Sequence, residues 1–170
     1  HIDIQRESAA ALNNMAMAKE NRSLMSKSGA LPTLIGLMKS DDFICQNHAS
    51  SALANLAESS SEGIHELLLD DCCLDIMCKR INDKDSHVDT KRAISRCLAL
   101  FASNSQVHEH LLCGDILSSL KVLIAAAKDR YCERYGVLAV ANLATVESSH
   151  QVLLSTIGTE TILSLAQSDD

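Results

Sequence analysis

Gly29-Ala-Leu-Pro-Thr-Leu-Ile-Gly-Leu-Met-Lys-Ser-Asp-Asp-Phe-Ile-Cys-Gln-Asn-His-Ala-Ser-Ser-Ala-Leu-Ala-Asn-Leu-Ala57 holds two helical patterns joined by a turn. In the first, Leu31, Leu34, Ile35 and Met38 stand at i, i+3, i+4 and i+7, the spacing that lines one face of a helix. Glycine at position 29 supplies the left-handed backbone a helix-to-helix turn needs, and Pro32 suits a first helical turn. Asp42 is fit to cap the longer second pattern, which ends in Ala-Leu-Ala-Asn-Leu-Ala.

Both halves of this stretch recur along the chain. The ending returns as Ala11-Leu-Asn-Asn-Met-Ala16, Ala52-Leu-Ala-Asn-Leu-Ala57, Cys97-Leu-Ala-Leu-Phe-Ala102 and Ala139-Val-Ala-Asn-Leu-Ala144, with starts 41, 45 and 42 residues apart. The opening returns at Gly29, Asp71, Gly114 and Gly158, spaced 42, 43 and 44. Two independent signals with one period define a repeat protein, in which no unit buries its apolar faces alone and neighbours must stack. Each unit parses into three helices. A short first helix is predicted at Asn21–Ser28, Gly63–Leu69, Gln106–Cys113 and His150–Ile157. A second follows each Gly or Asp turn. A longer third spans about Asp42–Glu58, Ser86–Ser103 and Asp129–Thr145, opening on Asp or Ser as a cap.

The composition agrees. The 170 residues are 46% hydrophobic but only 2% aromatic, without Trp and with a single Pro, which favours close helix packing over a β-sandwich. Seven cysteines, an odd number, most of them (Cys45, Cys97, Cys113, Cys132) inside apolar-periodic segments, fit reduced, buried thiols better than a disulfide framework. The formal charge of −7 argues against nonspecific nucleic-acid binding, and aromatic stacking platforms are scarce, with only Phe43, Phe101, Tyr131 and Tyr135. No apolar run reaches 18 residues, so direct membrane insertion is not expected. The chain opens at His1 in mid-pattern, which predicts a piece of something longer.

The segment 29–57 closely resembles the armadillo repeat, and the resemblance extends over the whole chain: a partial repeat at 1–19, full repeats at 20–60, 61–104 and 105–147, and a partial repeat at 148–170. It implies an all-α, right-handed α-solenoid of armadillo-type three-helix repeats. HEAT repeats are the main competitor, disfavoured by the three-helix unit and the Asn-Leu-Ala ending. In the family the third helices line a concave groove for extended peptides, and an Asn on that helix holds the peptide backbone. The matching positions are Asn14, Asn55 and Asn142, with Leu100 breaking the series. An Asn amide pairs with a backbone C=O and N–H at once; the alternative is that these residues brace neighbouring helices. Importin-type members place a Trp four residues before this Asn; here the positions hold Ala10, Ser51, Arg96 and Leu138, so no lysine slot forms and a receptor for basic localisation signals is disfavoured.

Eight residues before the Asn position stand Arg6, Asn47, Arg92 and Arg134. With Arg96 they place a line of guanidinium groups on the expected groove of an acidic protein, which points to an acidic or phosphorylated extended partner, as in acidic-ligand members such as β-catenin. Pairing with acids of the same repeat, such as Glu7, Asp89 or Glu133, is the competing reading. His65-Glu66 lacks the second His of a metalloprotease helix, because Leu69 stands there. His108-x-His110 with Cys113, and Cys72-Cys73 with Cys78, fall short of four zinc ligands. No phosphate loop or nucleophile elbow is present. The expectation is therefore a non-enzymatic scaffold or adaptor without cofactor, whose partner is an extended protein segment. The rivals are an architectural solenoid that self-associates through its open ends, and a nuclear-import adaptor. A cytoplasmic setting is expected, with nuclear residence or membrane tethering through a preceding segment as alternatives.

Overall fold

A computed structural model of the protein describes residues 1–58, 71–125 and 129–167. Its helices are α1 (Ile2–Met17), α2 (Lys19–Lys27), α3 (Ala30–Met38), α4 (Phe43–Ala57), α5 (Asp71–Asn82), α6 (Val88–Ala102), α7 (His108–Leu111), α8 (Gly114–Ile124), α9 (Arg130–Leu143), α10 (His150–Thr156) and α11 (Thr159–Ala166). Single 3₁₀ turns at Ser105–Val107 and Glu147–Ser149 precede α7 and α10, and no strand occurs among the described residues. The short helix expected at Gly63–Leu69, with His65 and Glu66, lies outside them.

The long third helices α1, α4, α6 and α9 pack side by side in that order, and α3 and α8 lie against α4 and α9. One apolar core runs through the stack: Leu31, Leu34 and Met38 of α3, Leu53 and Leu56 of α4, Met77 and Ile81 of α5, and Ile94, Leu98 and Phe101 of α6 are all fully buried. Gly29 adopts the left-handed backbone at φ 79° and Gly158 has φ 88°. Gly114 is the first residue of α8 and has no positive φ. Cys113 beside it is exposed rather than buried, while Cys45, Cys73, Cys78, Cys97 and Cys132 are buried, and no disulfide joins the seven cysteines.

Two side-chain devices repeat with the fold. The first closes α1, α6 and α9. The carbonyl of Ala16 accepts from Arg22 Nε at 3.0 Å, that of Ala102 from His108 Nε2 at 2.8 Å and that of Ala144 from His150 Nε2 at 2.9 Å, always six residues on. These bonds satisfy carbonyls that a helix end leaves without partners. The second device caps α4 and α9 and ties each to the third helix before it. Asp42 accepts from Cys45 N, and Asp129 from the N–H groups of Tyr131 and Cys132. The same carboxylates take an arginine from the preceding third helix: Arg6 Nη2 to Asp42 Oδ2 at 2.6 Å, and Arg92 Nε to Asp129 Oδ2 at 2.9 Å.

At the junction of α4 with α6 both partners change together. Asn47 replaces the arginine, and His87 replaces the aspartate as cap, its ring nitrogen accepting from Asp89 N. Ser86, expected as the cap, stands one residue too early. The His87 ring stacks instead on Phe43, with centroids 5.0 Å apart. Installing the missing clamp with Asn47→Arg and His87→Asp should raise the thermal midpoint by roughly 1–3 °C. A differential scanning measurement checks this, with each single substitution giving less than half the gain.

Candidate functional site

On each third helix the residues at the arginine, slot and Asn positions follow one another at intervals of four and share one face. The stripes are Arg6, Ala10 and Asn14 on α1; Asn47, Ser51 and Asn55 on α4; Arg92, Arg96 and Leu100 on α6; and Arg134, Leu138 and Asn142 on α9. All twelve are half-buried or exposed, whereas Cys45, Ala49, Ala52, Leu53 and Leu56 of α4 point into the core. The four stripes therefore make one continuous, mostly polar surface across four packed helices.

The asparagines do not behave alike. Asn14 is exposed, and its side chain makes no hydrogen bond among the described residues. Asn55 donates from Nδ2 to Asn13 Oδ1 at 3.4 Å, and its Oδ1 accepts from Arg96 Nη1 at 3.1 Å. Asn142 Nδ2 donates to the Ala99 carbonyl at 3.1 Å, which leaves its Oδ1 outside that bond. Asn55 and Asn142 thus brace neighbouring third helices. Leu100, at the fourth position, packs partly buried against the core.

Most of the arginines are held by carboxylates. Arg6 bonds Asp42 and also Asp3 at 3.3 Å; Arg92 bonds Asp129 and also Asp89 at 3.1 Å. Arg96 bonds Glu58, whose other oxygen takes Arg22 Nη2 at 3.1 Å. Of the own-repeat acids expected as partners, Asp89 is used, but the main pairings run to the cap of the next repeat. Arg134 has no carboxylate partner among the described residues; its guanidinium lies 5.9 Å from the Tyr135 ring centroid. Asp170 stands 36 residues after it, as Asp42 stands after Arg6, and lies outside those residues.

These pairings set the electrostatics. Hydrogen bonds from Arg6 hold the Asp42 carboxyl well below the usual range, against some burial and with help from Cys45 N. For Asp129, burial pushes upward, but the Cys132 N–H and Arg92 outweigh it and the carboxyl lies low. Burial likewise opposes Glu58 ionisation, and Arg96 and Arg22 together overcome it. All three carboxylates are therefore charged at neutral pH, and the stripe is closer to neutral than its arginine count suggests.

A cavity of about 500 Å³ opens at the α6–α9 end, lined by Arg92, Asp129, Arg130, Tyr131 and Arg134. Arg130 and Tyr131 were not singled out as site residues from the sequence, though Arg130 follows directly on the capping aspartate. Elsewhere, His110, Cys113 and Cys78 line a cavity of about 450 Å³, while His108 is buried and bonded to Ala102. Among the described residues no group of three His, Cys, Asp or Glu side chains is placed to hold a metal ion, and no helix is long and apolar enough to cross a membrane.

Stacked three-helix units with a continuous layer of third helices define an α-solenoid of the armadillo type. Residues 18–58 match the Armadillo/beta-catenin-like repeat. No curated protein matches the sequence. Solved structures with the same fold include an engineered protein, 24% identical with a TM-score of 0.86, covering 98% of this chain and 68% of that one. A designed armadillo repeat protein in complex with the peptide (KR)4 is 22% identical with a TM-score of 0.88, covering 99% and 70%. Computationally designed armadillo repeat proteins for modular peptide recognition are 21% identical, with a TM-score of 0.87, covering 96% and 68%. Residues 18–58 thus carry an armadillo repeat, and the described residues have the fold of an armadillo-type solenoid.

Proposed function

We propose that this solenoid is a protein-binding scaffold that holds an extended, acidic or phosphorylated segment of a partner along its third-helix surface, without catalysis of its own. The observation that carries the reading is the continuous stripe from Asn14 to Asn142, polar and accessible across four packed helices. Solenoid curvature turns such a layer into an extended binding face. That a designed armadillo neighbour is complexed with a peptide supports this use of the fold. Asn14 and the Oδ1 of Asn142 offer groups for a peptide backbone, and Arg134 offers charge. Arg6, Arg92 and Arg96 contribute less than full charges, since an incoming acid competes with Asp42, Asp129 and Glu58. Cysteine thiols without disulfides suit a reducing, cytoplasmic setting.

Fluorescence anisotropy with acidic, phosphorylated and basic peptide libraries at two salt concentrations tests the reading. Acidic or phosphorylated libraries should bind, weaken with salt, and lose at least fivefold on Arg134→Glu. Preference for basic peptides would reverse the proposed polarity and favour an import adaptor.

One observation favours a second reading, self-association. Leu154, Ile162 and Leu163 are exposed on α10 and α11, beside an apolar cavity of about 240 Å³ lined by Val140, Leu153 and Ile162, and Ile4, Met15 and Met17 are exposed on α1. Concentration-dependent dimers with no peptide binding would establish that architectural role instead.

A further inference from the structure

We propose that the cavity between Arg92 of α6 and Arg130, Tyr131 and Arg134 of α9 receives the phosphomonoester of a phosphorylated residue in the bound segment. The inference rests on the scaffold reading above and assigns its charge recognition to one place.

Three guanidinium groups and one carboxylate line this cavity, a local excess of positive charge in a chain of formal charge −7. The carboxylate is already engaged. Asp129 Oδ1 accepts from Tyr131 N and Cys132 N at 3.1 and 3.0 Å, and Oδ2 from Arg92 Nε at 2.9 Å. It acts as a bracket that aims Arg92, not as a competitor for every cation around it. Arg92 is fixed a second time by Asp89 through Nη1, and Nη2 stays outside both bonds. A guanidinium held in place before binding loses less side-chain freedom when a ligand arrives.

Arg134 is exposed, carries no carboxylate partner among the described residues, and stands one helical turn from Arg130 on the same helix. Tyr131 adds a phenol to the lining, its ring 4.7 Å from that of Tyr135. Burial, then the Tyr135 hydroxyl, hold this phenol above its usual value, so it stays protonated and donates. Flat guanidinium forks match the oxygens of a phosphate bidentately. A phosphomonoester brings about 1.5 to 2 negative charges at neutral pH and three acceptor oxygens, where a carboxylate brings one charge and two. Several converging donors around a cavity of this volume use the first ligand fully and the second only in part.

Fluorescein-labelled peptide libraries with a central phosphoserine, serine or glutamate and identical random flanks separate the possibilities by anisotropy. The phosphoserine library should bind at least tenfold more tightly than the serine library and severalfold more tightly than the glutamate library. Arg134→Gln, and separately Arg130→Gln, should remove that preference, bringing the phosphoserine library to the affinity of the serine library measured on the same variant. Both residues are exposed, and unchanged thermal midpoints show that the variants fold. Equal binding of the phosphoserine and serine libraries overturns the phosphate site and leaves the scaffold standing; no binding of any library overturns both. Inorganic phosphate, inositol phosphates and a single-stranded oligonucleotide serve as further arms. Any of them binding more tightly than the phosphoserine library overturns the assignment to a phosphorylated protein segment.

Discussion

Phe101→Ala should destabilise the protein by about 3–5 kcal/mol, the range expected when a large aromatic side chain is cut from a close-packed core. Phe101 is the largest fully buried side chain, 1% exposed, and belongs to the single core cluster shared by successive repeats. In a solenoid, stability is roughly the sum of repeat and nearest-neighbour terms. The loss therefore falls on α6 and on its interfaces with α4 and α9. Hydrogen exchange should show protection collapsing in α6 first, and the urea midpoint should fall accordingly. Met15 occupies the same register in the Ala-Leu-Asn-Asn-Met-Ala segment but is 48% exposed. Met15→Ala should accordingly stay within about 0.5 kcal/mol of the wild type. Equal losses at the two sites would mean that the core does not run through the third-helix layer as described.

Glu58→Ala should cost about 2 kcal/mol, because it strands a buried cation. Glu58 follows α4 and bridges Arg22 of α2 to Arg96 of α6. The Arg22 side chain is only 6% exposed, and without Glu58 it keeps the bond from Nε to the Ala16 carbonyl. Breaking a buried pair from one side costs about 3–5 kcal/mol, reduced here because Glu58 itself is 33% exposed and water screens it. Replacing both partners, Arg22→Met with Glu58→Gln, should recover most of the loss. Acid adds a second signature. Glu58, Asp42 and Asp129 have native values below their unfolded ones, so the unfolded chain binds protons first as pH falls. Their contribution is complete above about pH 5 and is lost progressively as the pH drops through the low native values. Urea midpoints measured from pH 6 down to pH 3 should therefore fall steeply in the wild type and less steeply in the recovered double variant.

Much of this architecture was legible because repetition makes weak local signals agree. The Leu31/Leu34/Ile35/Met38 spacing and the Asn-Leu-Ala endings located second and third helices to within a residue or two, and Asp42 and Asp129 are the caps their positions implied. The first helices were harder to read. At Gln106–Cys113 the chain makes a 3₁₀ turn, opened by Asn104 accepting from Gln106 N, before four residues of α-helix. So short an apolar pattern cannot distinguish the two.

Arginine partners were not legible from a single repeat. Arg6 and Arg92 reach acids 36 and 37 residues on, a distance that closes only when adjacent third helices are stacked. A signal did exist: where Asn47 replaces the arginine, His87 replaces the aspartate, so the two positions change together. Likewise Asn55 and Asn142 share a motif position, but the first bonds side chains and the second a backbone carbonyl. Their neighbours decide this, Asn13 and Arg96 for one and Ala99 for the other.

The central claim is that an extended partner lies along the third-helix stripe, and side-chain amide NMR tests it most directly. An anisotropy-selected peptide is titrated into isotope-labelled protein while the Asn14, Asn55 and Asn142 amides and the arginine Nε–H signals are followed. The account predicts shifts at Asn14, Asn142 and Arg134 together with adjacent α4 and α6 stripe residues, and quiet signals from α3 and α8. Shifts confined to α3, α8 or the exposed leucines of α10 and α11 would contradict it, placing the partner off the groove altogether.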